Sequence, residues 1–360
     1  MGGHRLRISF FTTCKGRLHQ LRQTLPQNLA WNADYPDAEF VVLDYNSQDG
    51  LGDWIRDAHG RDLETGRVAY YRDDTPGYFA HGHARNVAAL LCTGDVVCNL
   101  DADNLTGTGF AAYLANALST RARGVFAWTP RAADAGTCGR LAFYRHDFVE
   151  LGGYNEVMDD GWGYHDIDLI SRARALRFKE TKIDLRYLLS LGHSNDERTE
   201  HMRDKDLSAC AKRNQALMKR NVRAGNLIAN QGRMWGHALV TRNFAREPRI
   251  VEGLGAERAR TSFWRRLLPR RAPELGADPA LVLDGTEAAE LHAQLDRLMP
   301  HLEPAATIFV RGVGTHAGPT RFVHDLLAQA SYDFVARHGS LVALKERSAA
   351  LRRRAAAARG

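Results

Sequence analysis

The sequence predicts an α/β protein built on one open sheet, with a smaller α/β unit at its C-terminal end. Three observations carry that reading. Apolar runs of strand length alternate with helical spacing through the first hundred residues. Polar and acidic residues collect at the C-terminal ends of those runs, the edge where open α/β sheets place their sites. A shorter alternation of the same kind resumes near residue 279.

Each element follows from local pattern. "RLRISFFTTC" (5–14) reads as a buried strand ending in hydroxyls, and "KGRLHQLRQTLPQNLAW" (15–31) takes up helical spacing. "EFVVLDYNSQDG" (39–50) is an apolar strand ending in Asp44 and a polar turn, and "VAYYRD" (68–73) is a third strand. "HGHARNVAALLCTGD" (81–95) predicts a helix closed by Gly94, and "VVCNLDAD" (96–103) a fourth strand ending in acid. Beyond Gly124 the alternation loosens. "GVFAWTPR" and "CGRLAFYRHDF" read as strands, "DDGWGYHDIDLISRA" (159–173) opens a helix, and a long polar helix is expected from about residue 197 to 225. The chain then turns Arg-rich and irregular. Three segments are expected: a domain over 1–225, a connecting region over 226–278, and a small unit over 279–360.

Composition bounds the function. The net charge of +7 and a pI near 9.3 suit anionic ligands. Much of the excess lies in "SFWRRLLPRRAPE" and "LRRRAAAARG", read as linker and tail. They lack the aromatic interleaving of a nucleic-acid platform, so nucleic acid is not an expected partner. A surface contact with a membrane is the other reading of the basic excess. The five cysteines are odd in number and form no C-x-x-C pair, which fits a reduced, cytoplasmic setting. No leader-like segment or membrane-length apolar run is seen. No G-x-S-x-G elbow supports a hydrolase.

Two acidic constellations could do chemistry. "CNLDADN" puts Asp101 and Asp103 at a strand end, where residues i and i+2 on an extended chain face one side and can reach one cation. Carboxylate oxygens are the ligands Mg²⁺ and Mn²⁺ prefer. An EF-hand is excluded, because Thr106 stands where its turn needs Gly. In the second constellation, Trp162 between Gly161 and Gly163 offers a flat surface beside Asp166 and Asp168, which simple helix capping does not require. His81 and His83 have H-x-H spacing but precede a helix entry, which favours phosphate contact or structural hydrogen bonding over a second metal.

"ISFFTTCKGR", "VVLDYNSQDG", "HARNVAALLCTGDVVCNLDADN" and "GWGYHDIDL" occur in the order and spacing of nucleotide-sugar-dependent glycosyltransferases of the A-type (GT-A) fold. The first three resemble the large family 2 group, and the fourth resembles the galactosyltransferase-type GWGxEDxD segment. The resemblance implies a Rossmann-like mixed sheet, a UDP-sugar donor, a Mn²⁺ or Mg²⁺ cofactor and a carbohydrate or glycoconjugate acceptor. It implies that Thr12, Thr13 and Arg17 lie near the nucleotide, that Asp44 binds uracil or ribose, and that Arg85 and Asn86 contact base and donor. Asp101 and Asp103 match the D-x-D motif, with Asp103 the direct metal ligand and His193 completing the metal site; His201 is the alternative ligand. Asp166 sits where the family places its catalytic base, with Asp160 or Asp168 next in line. Trp162 becomes a stacking platform for a sugar ring.

There are departures. His165 replaces the family's Glu at the acceptor-binding position, and a neutral His can donate where Glu only accepts. Tyr45 replaces the second acid of the family's "VDDGS" turn. The expected activity is inverting sugar transfer to a hydroxyl, against a retaining transferase on the same fold or a degenerate nucleotide-sugar-binding module. The C-terminal unit resembles the latter half of a class I methyltransferase domain without its cofactor half. It is read as a non-catalytic piece used for homodimerisation or acceptor recognition, and "GVGTHAG" within it as a turn more readily than a nucleotide loop.

Overall fold

The expected core strands form in order: β1 (Ile8–Cys14), β2 (Ala38–Tyr45), β3 (Val68–Asp73) and β4 (Val96–Asn99). They are parallel, with Cys14 level with Asp44 and Phe11 with Asn99, so their C-terminal ends share one edge. All but one of their residues are buried, as for strands covered on both faces. The computed structural model describes residues 5–119, 123–130, 135–192, 197, 199–231, 234–253, 279–284, 307–311 and 314–316. His193, both Arg-rich segments and most of the C-terminal unit lie outside these residues.

Between and after these strands come α1 (Leu18–Trp31), α2 (Leu51–Ala58), α3 (Gly60–Glu64) and α4 (His81–Leu91), then β5 (Asn104–Leu105) and α5 (Phe110–Leu118). The second half holds β6 (Val125–Trp128), β7 (Leu141–Tyr144), α6 (Arg145–Glu150), α7 (His165–Ala175), β8 (Lys179–Lys182), β9 (Leu189–Ser190), α8 (Leu207–Arg223), β10 (Trp235–Arg242) and β11 (Arg249–Gly253). Among the described residues nine strands make one mixed sheet in the order β11-β10-β3-β2-β1-β4-β7-β6-β8, while β5 and β9 pair separately. On one face Ile8, Phe10, Val42 and Cys98 pack with Leu21 and Leu25 of α1 and Leu114 of α5. The other face is covered in part by α4, which packs against β1 and β2.

Two segments depart from the sequence reading. The long polar helix begins at Leu207, about ten residues later than expected, because the Asp206 side chain accepts from the Ala209 amide (2.9 Å) and caps it there. The stretch expected to be irregular after Gly225 contributes β10 and β11. β10 pairs antiparallel with β3, and Trp235–Gly253 belongs to the same compact unit as the sheet. The signal was a short alternation in "HALVT", with Ala238 and Val240 buried between the more exposed His237, Leu239 and Thr241.

The second compact unit contains β12 (Pro279–Asp284), β13 (Thr307–Arg311) and β14 (Gly314–His316). β12 and β13 are parallel, and β14 returns antiparallel to β13. A strand therefore occupies the middle of "GVGTHAG".

A buried carboxylate ties the N-terminal edge of the sheet together. Glu39 accepts from Ser9 Oγ (2.5 Å), Thr93 N (2.7 Å), Thr93 Oγ1 (2.8 Å) and Arg7 Nη2 (2.9 Å). Burial pushes its carboxyl upward, but these donors more than offset that and hold it below the usual carboxylate range. Its stabilisation is therefore complete above the ordinary carboxylate pKa and is lost as pH falls through the lowered folded-state value. Glu39→Gln, which swaps one acceptor oxygen for a donor, is expected to cost about 3 kcal/mol at pH 7 by urea titration. Unchanged stability would show the cluster to be replaceable.

Candidate functional site

The acidic pair after β4 is set in place by one face of α1. Thr24, Asn28 and Asn32 recur every four residues, and all three are buried. Thr24 Oγ1 donates to the Ala102 carbonyl (2.7 Å). Asn28 donates to the Asn104 carbonyl (2.9 Å) and accepts from the Thr106 amide (2.8 Å). Asn32 donates to Thr106 Oγ1 (2.9 Å) and accepts from the Ala111 amide (2.8 Å). Thr12 is part of the same scaffold, because its hydroxyl donates to the Leu100 carbonyl (2.7 Å). Beneath the pair, fully buried Arg140 donates to Asn104 Oδ1 (3.0 Å), and burial pulls its guanidinium down to about 10.

Asp101 and Asp103 lie on a turn closed by the Asn104 amide on the Asp101 carbonyl (2.9 Å). The strand ends at Asn99, so the extended-chain alternation expected for this pair does not apply. Both carboxylates nevertheless line one cavity of about 180 Å³, together with Thr13, Arg17, Arg85, Trp162 and Asp166. The sequence thus brings two distant acidic segments to one place.

Arg85, on the second turn of α4, joins them. Its Nη1 donates to Asp166 Oδ1 (2.8 Å) and its Nη2 to Asp101 Oδ1 (2.9 Å), which also accepts from Asn99 Nδ2 (3.0 Å). The two acids titrate in opposite directions. Burial pushes Asp101 up, but Arg85 and Asn99 outweigh it and hold the carboxyl below its ordinary value. Burial also pushes Asp166 up, with the Asp101 charge adding to it, and here Arg85 does not win, so Asp166 sits above its ordinary value. One carboxylate is held more acidic than usual and the other more basic.

The Gly-Trp-Gly segment forms the wall beside Asp166. Gly163 (φ 104°) and Tyr164 (φ 66°) make the left-handed bend that precedes α7. A Cβ on Gly161 would run into the Cys210 side chain of α8. From the same helix, Asn214 donates to the Met158 (3.2 Å) and Gly163 (2.9 Å) carbonyls, gripping both ends of the loop. Tyr164 makes no side-chain cap, and Asp168 is committed to Arg172 (2.8 Å), whose other nitrogens hold the Leu151 and Gly153 carbonyls. Asp160 lies exposed against Arg203 (3.4 Å). Of the acids in this segment, Asp166 is the one that lines the cavity.

Three expected contacts lie behind the cavity wall. Asp44 is fully buried and accepts from the Ser47 amide (2.7 Å), Tyr70 Oη (2.7 Å) and Arg72 Nη1 (2.7 Å), so its oxygens shape the turn after β2. Asn86 is also fully buried; its amide bonds Tyr154 through both backbone groups and reaches Glu156 Oε1 (2.8 Å). His165 is buried against Asp159 (3.0 Å). His83 spans Tyr45 Oη (2.6 Å) and the His237 carbonyl (2.8 Å), so its ring is structural while His81 lines the cavity.

Sequence reasoning missed Lys15 and Glu197, which also line the cavity. Lys15 Nζ donates to the Tyr45 (3.1 Å), Asn46 (3.2 Å) and Pro76 (3.0 Å) carbonyls, binding three loops into the rim. Its only signal was a Lys one residue past an apolar strand. Glu197 is held through its carbonyl by the Arg17 guanidinium, and the nearby His201 carbonyl accepts from the Phe79 amide (2.6 Å). His201, the alternative metal ligand, lines the cavity, and burial lowers its pKa, which favours the neutral ring a ligand requires.

The donor set fits a hard divalent cation in part. Asp103, buried yet facing the cavity, with Asp101 beside it, supplies the carboxylate oxygen such ions prefer, and Mg²⁺ takes few protein ligands when phosphate and water complete its shell. Among the described residues no group of three or more His, Cys, Asp or Glu is gathered to hold a metal by itself. No described helix is long and apolar enough to cross a membrane.

Residues 9–180 match the family model described as Glycosyl transferase family 2. No curated protein matches. Among solved structures, the chain is similar to the mannosyltransferase PcManGT from Pyrobaculum calidifontis in complex with GDP-Man and Mn²⁺, at 18% identity and a TM-score of 0.44, over 61% of this chain and 70% of that one. It is also similar to S. aureus TarS 1-349 in complex with UDP, at 13% identity and a TM-score of 0.43, over 54% of this chain and 63% of that one.

Proposed function

We propose, from the premise that the chain is a glycosyltransferase carrying a family 2 domain of the A-type fold over residues 9–180, that it transfers a sugar from a UDP-sugar to a carbohydrate hydroxyl with inversion. The observation that supports this best is the convergence of Asp101, Asp103, Asp166 and Trp162 on one cavity. A cleaving nucleotide-sugar bond builds negative charge on the diphosphate while the acceptor hydroxyl must lose a proton, and the two acidic segments are suited to one task each.

Asp103, with Asp101 beside it, would hold Mn²⁺ or Mg²⁺, which supplies neutralisation of the leaving diphosphate. Arg17 and Lys15 add positive charge at the same cavity. Trp162 offers a flat apolar face for a sugar ring. Asp166 receives the acceptor proton on a carboxylate that burial has made more basic. Arg85 holds that carboxylate in register with Asp101 and stabilises it between turnovers.

The test is a thermal-shift and hydrolysis screen against UDP-glucose, UDP-galactose, UDP-N-acetylglucosamine and GDP-mannose, with Mn²⁺ or with EDTA. Stabilisation by a UDP-sugar with Mn²⁺, and slow release of UDP without acceptor, are expected. No shift and no hydrolysis with any of the four would overturn the reading.

A further inference from the structure

We infer that Asp159 and His165 form a positioning pair that locks the first turns of α4 and α7 together, and that His165 replaces Glu in this chain because Asp159 occupies its neighbourhood. The inference rests on the proposed role of Asp166. Asp159 Oδ1 accepts from the Gly82 amide (2.6 Å) and Oδ2 from the His83 amide (2.7 Å), so a residue remote in sequence satisfies two orphan donors at the start of α4. The residue at the N-cap position, Ala80, has no side chain able to do this. Asp159 Oδ1 also accepts from His165 Nε2 (3.0 Å), the first residue of α7. Both side chains are nearly shut off from solvent, at 11% and 3% exposure.

The consequence lies one step along each helix. Arg85 follows His83 by two residues, Asp166 follows His165 directly, and the two are joined at 2.8 Å. Asp159 thus fixes the distance between the helices that carry the two halves of this ion pair. A carboxylate facing Asp159 needs a donor. His165 can supply one through Nε2, whereas the Glu of the GWGxEDxD pattern would set two carboxylates against each other with little water to screen them. Neither residue lines the cavity, so both act through Arg85 and Asp166.

Four proteins decide the matter: wild type, Asp159→Asn, His165→Glu, and the double variant. Each is measured for kcat and KM in hydrolysis of whichever of the four nucleotide sugars named above is turned over, for UDP affinity by calorimetry, and for stability by urea titration. His165→Glu is expected to lower kcat about a hundredfold with UDP affinity within about threefold. The double variant is expected to regain part of that loss, about threefold to tenfold, because the side-chain amide introduced by Asp159→Asn can donate to the carboxylate introduced by His165→Glu while its remaining oxygen keeps one of the two bonds from the α4 amides. A His165→Glu kcat within about threefold of wild type, losses that simply multiply in the double variant, or equal losses in kcat and UDP affinity would each overturn the inference. If wild type turns over no nucleotide sugar, the functional reading fails instead; the pair is then decided by urea titration, where additive destabilisation overturns it and partial recovery in the double variant upholds it.

Discussion

Replacing Asp166 by Asn is expected to lower turnover by about two to four orders of magnitude while UDP affinity stays within a few-fold. The change keeps the shape of the side chain and a carbonyl oxygen for Arg85, so the ion-pair partner still has an acceptor. It removes the one acid of the 159–168 segment that lines the cavity and sits above its ordinary pKa. The pH dependence has a definite sign. A base must be unprotonated, so kcat/KM falls as pH drops through the Asp166 pKa, and this acid limb should lie above the usual carboxylate range. Arg85 favours the charged form of Asp166, so Arg85→Gln should move the limb to still higher pH, whereas loss of a neutral contact would leave it in place. Steady-state kinetics between pH 4 and 9 would check both statements. Wild-type turnover in Asp166→Asn would transfer the role to another acid.

The reading of the sheet from sequence succeeded where strands are buried on both faces. β1 to β4 are near-continuous apolar runs, and each closes on polar residues that mark the site edge. It missed β10, whose pattern alternates and is broken by Gly236 and His237. Two motif segments distant in sequence, carrying Asp101 and Asp103 on one and Trp162 and Asp166 on the other, line one cavity. It was least informative about burial. Asp44 and Asn86 carry motif positions, yet three-dimensional packing turns the first onto Tyr70 and Arg72 and the second onto Tyr154 and Glu156. The contribution of Lys15 was illegible because its partners are backbone carbonyls, which any sequence provides. Asp159 escaped notice for a related reason: two of its three bonds are to amides of a helix 77 and 76 positions away. Asp159 reads as an acidic loop residue until α4 is placed beside it.

Asp103 should carry the metal dependence of nucleotide binding. UDP is expected to bind wild type at least about a hundredfold more tightly with Mn²⁺ than with EDTA, since a metal bridge to the diphosphate is worth several kcal/mol. Asp101 has one oxygen already engaged, because its Oδ1 accepts from both Asn99 and Arg85. Asp103 faces the same cavity and accepts from Asn104 Nδ2 at 3.1 Å, a long contact for a carboxylate. Asp103→Ala should therefore abolish the difference between Mn²⁺ and EDTA. Asp103→Asn, which preserves volume and keeps an acceptor for Asn104, should do nearly the same while unfolding at the wild-type urea concentration, separating loss of ligation from loss of structure. Calorimetry with UDP reads the effect without any need to know the sugar or acceptor. Equal affinity with and without Mn²⁺ in wild type would remove the metal from nucleotide binding. Retained Mn²⁺ dependence in Asp103→Ala would place the ligand elsewhere, with Asp101 and His201 the next residues at the cavity to replace.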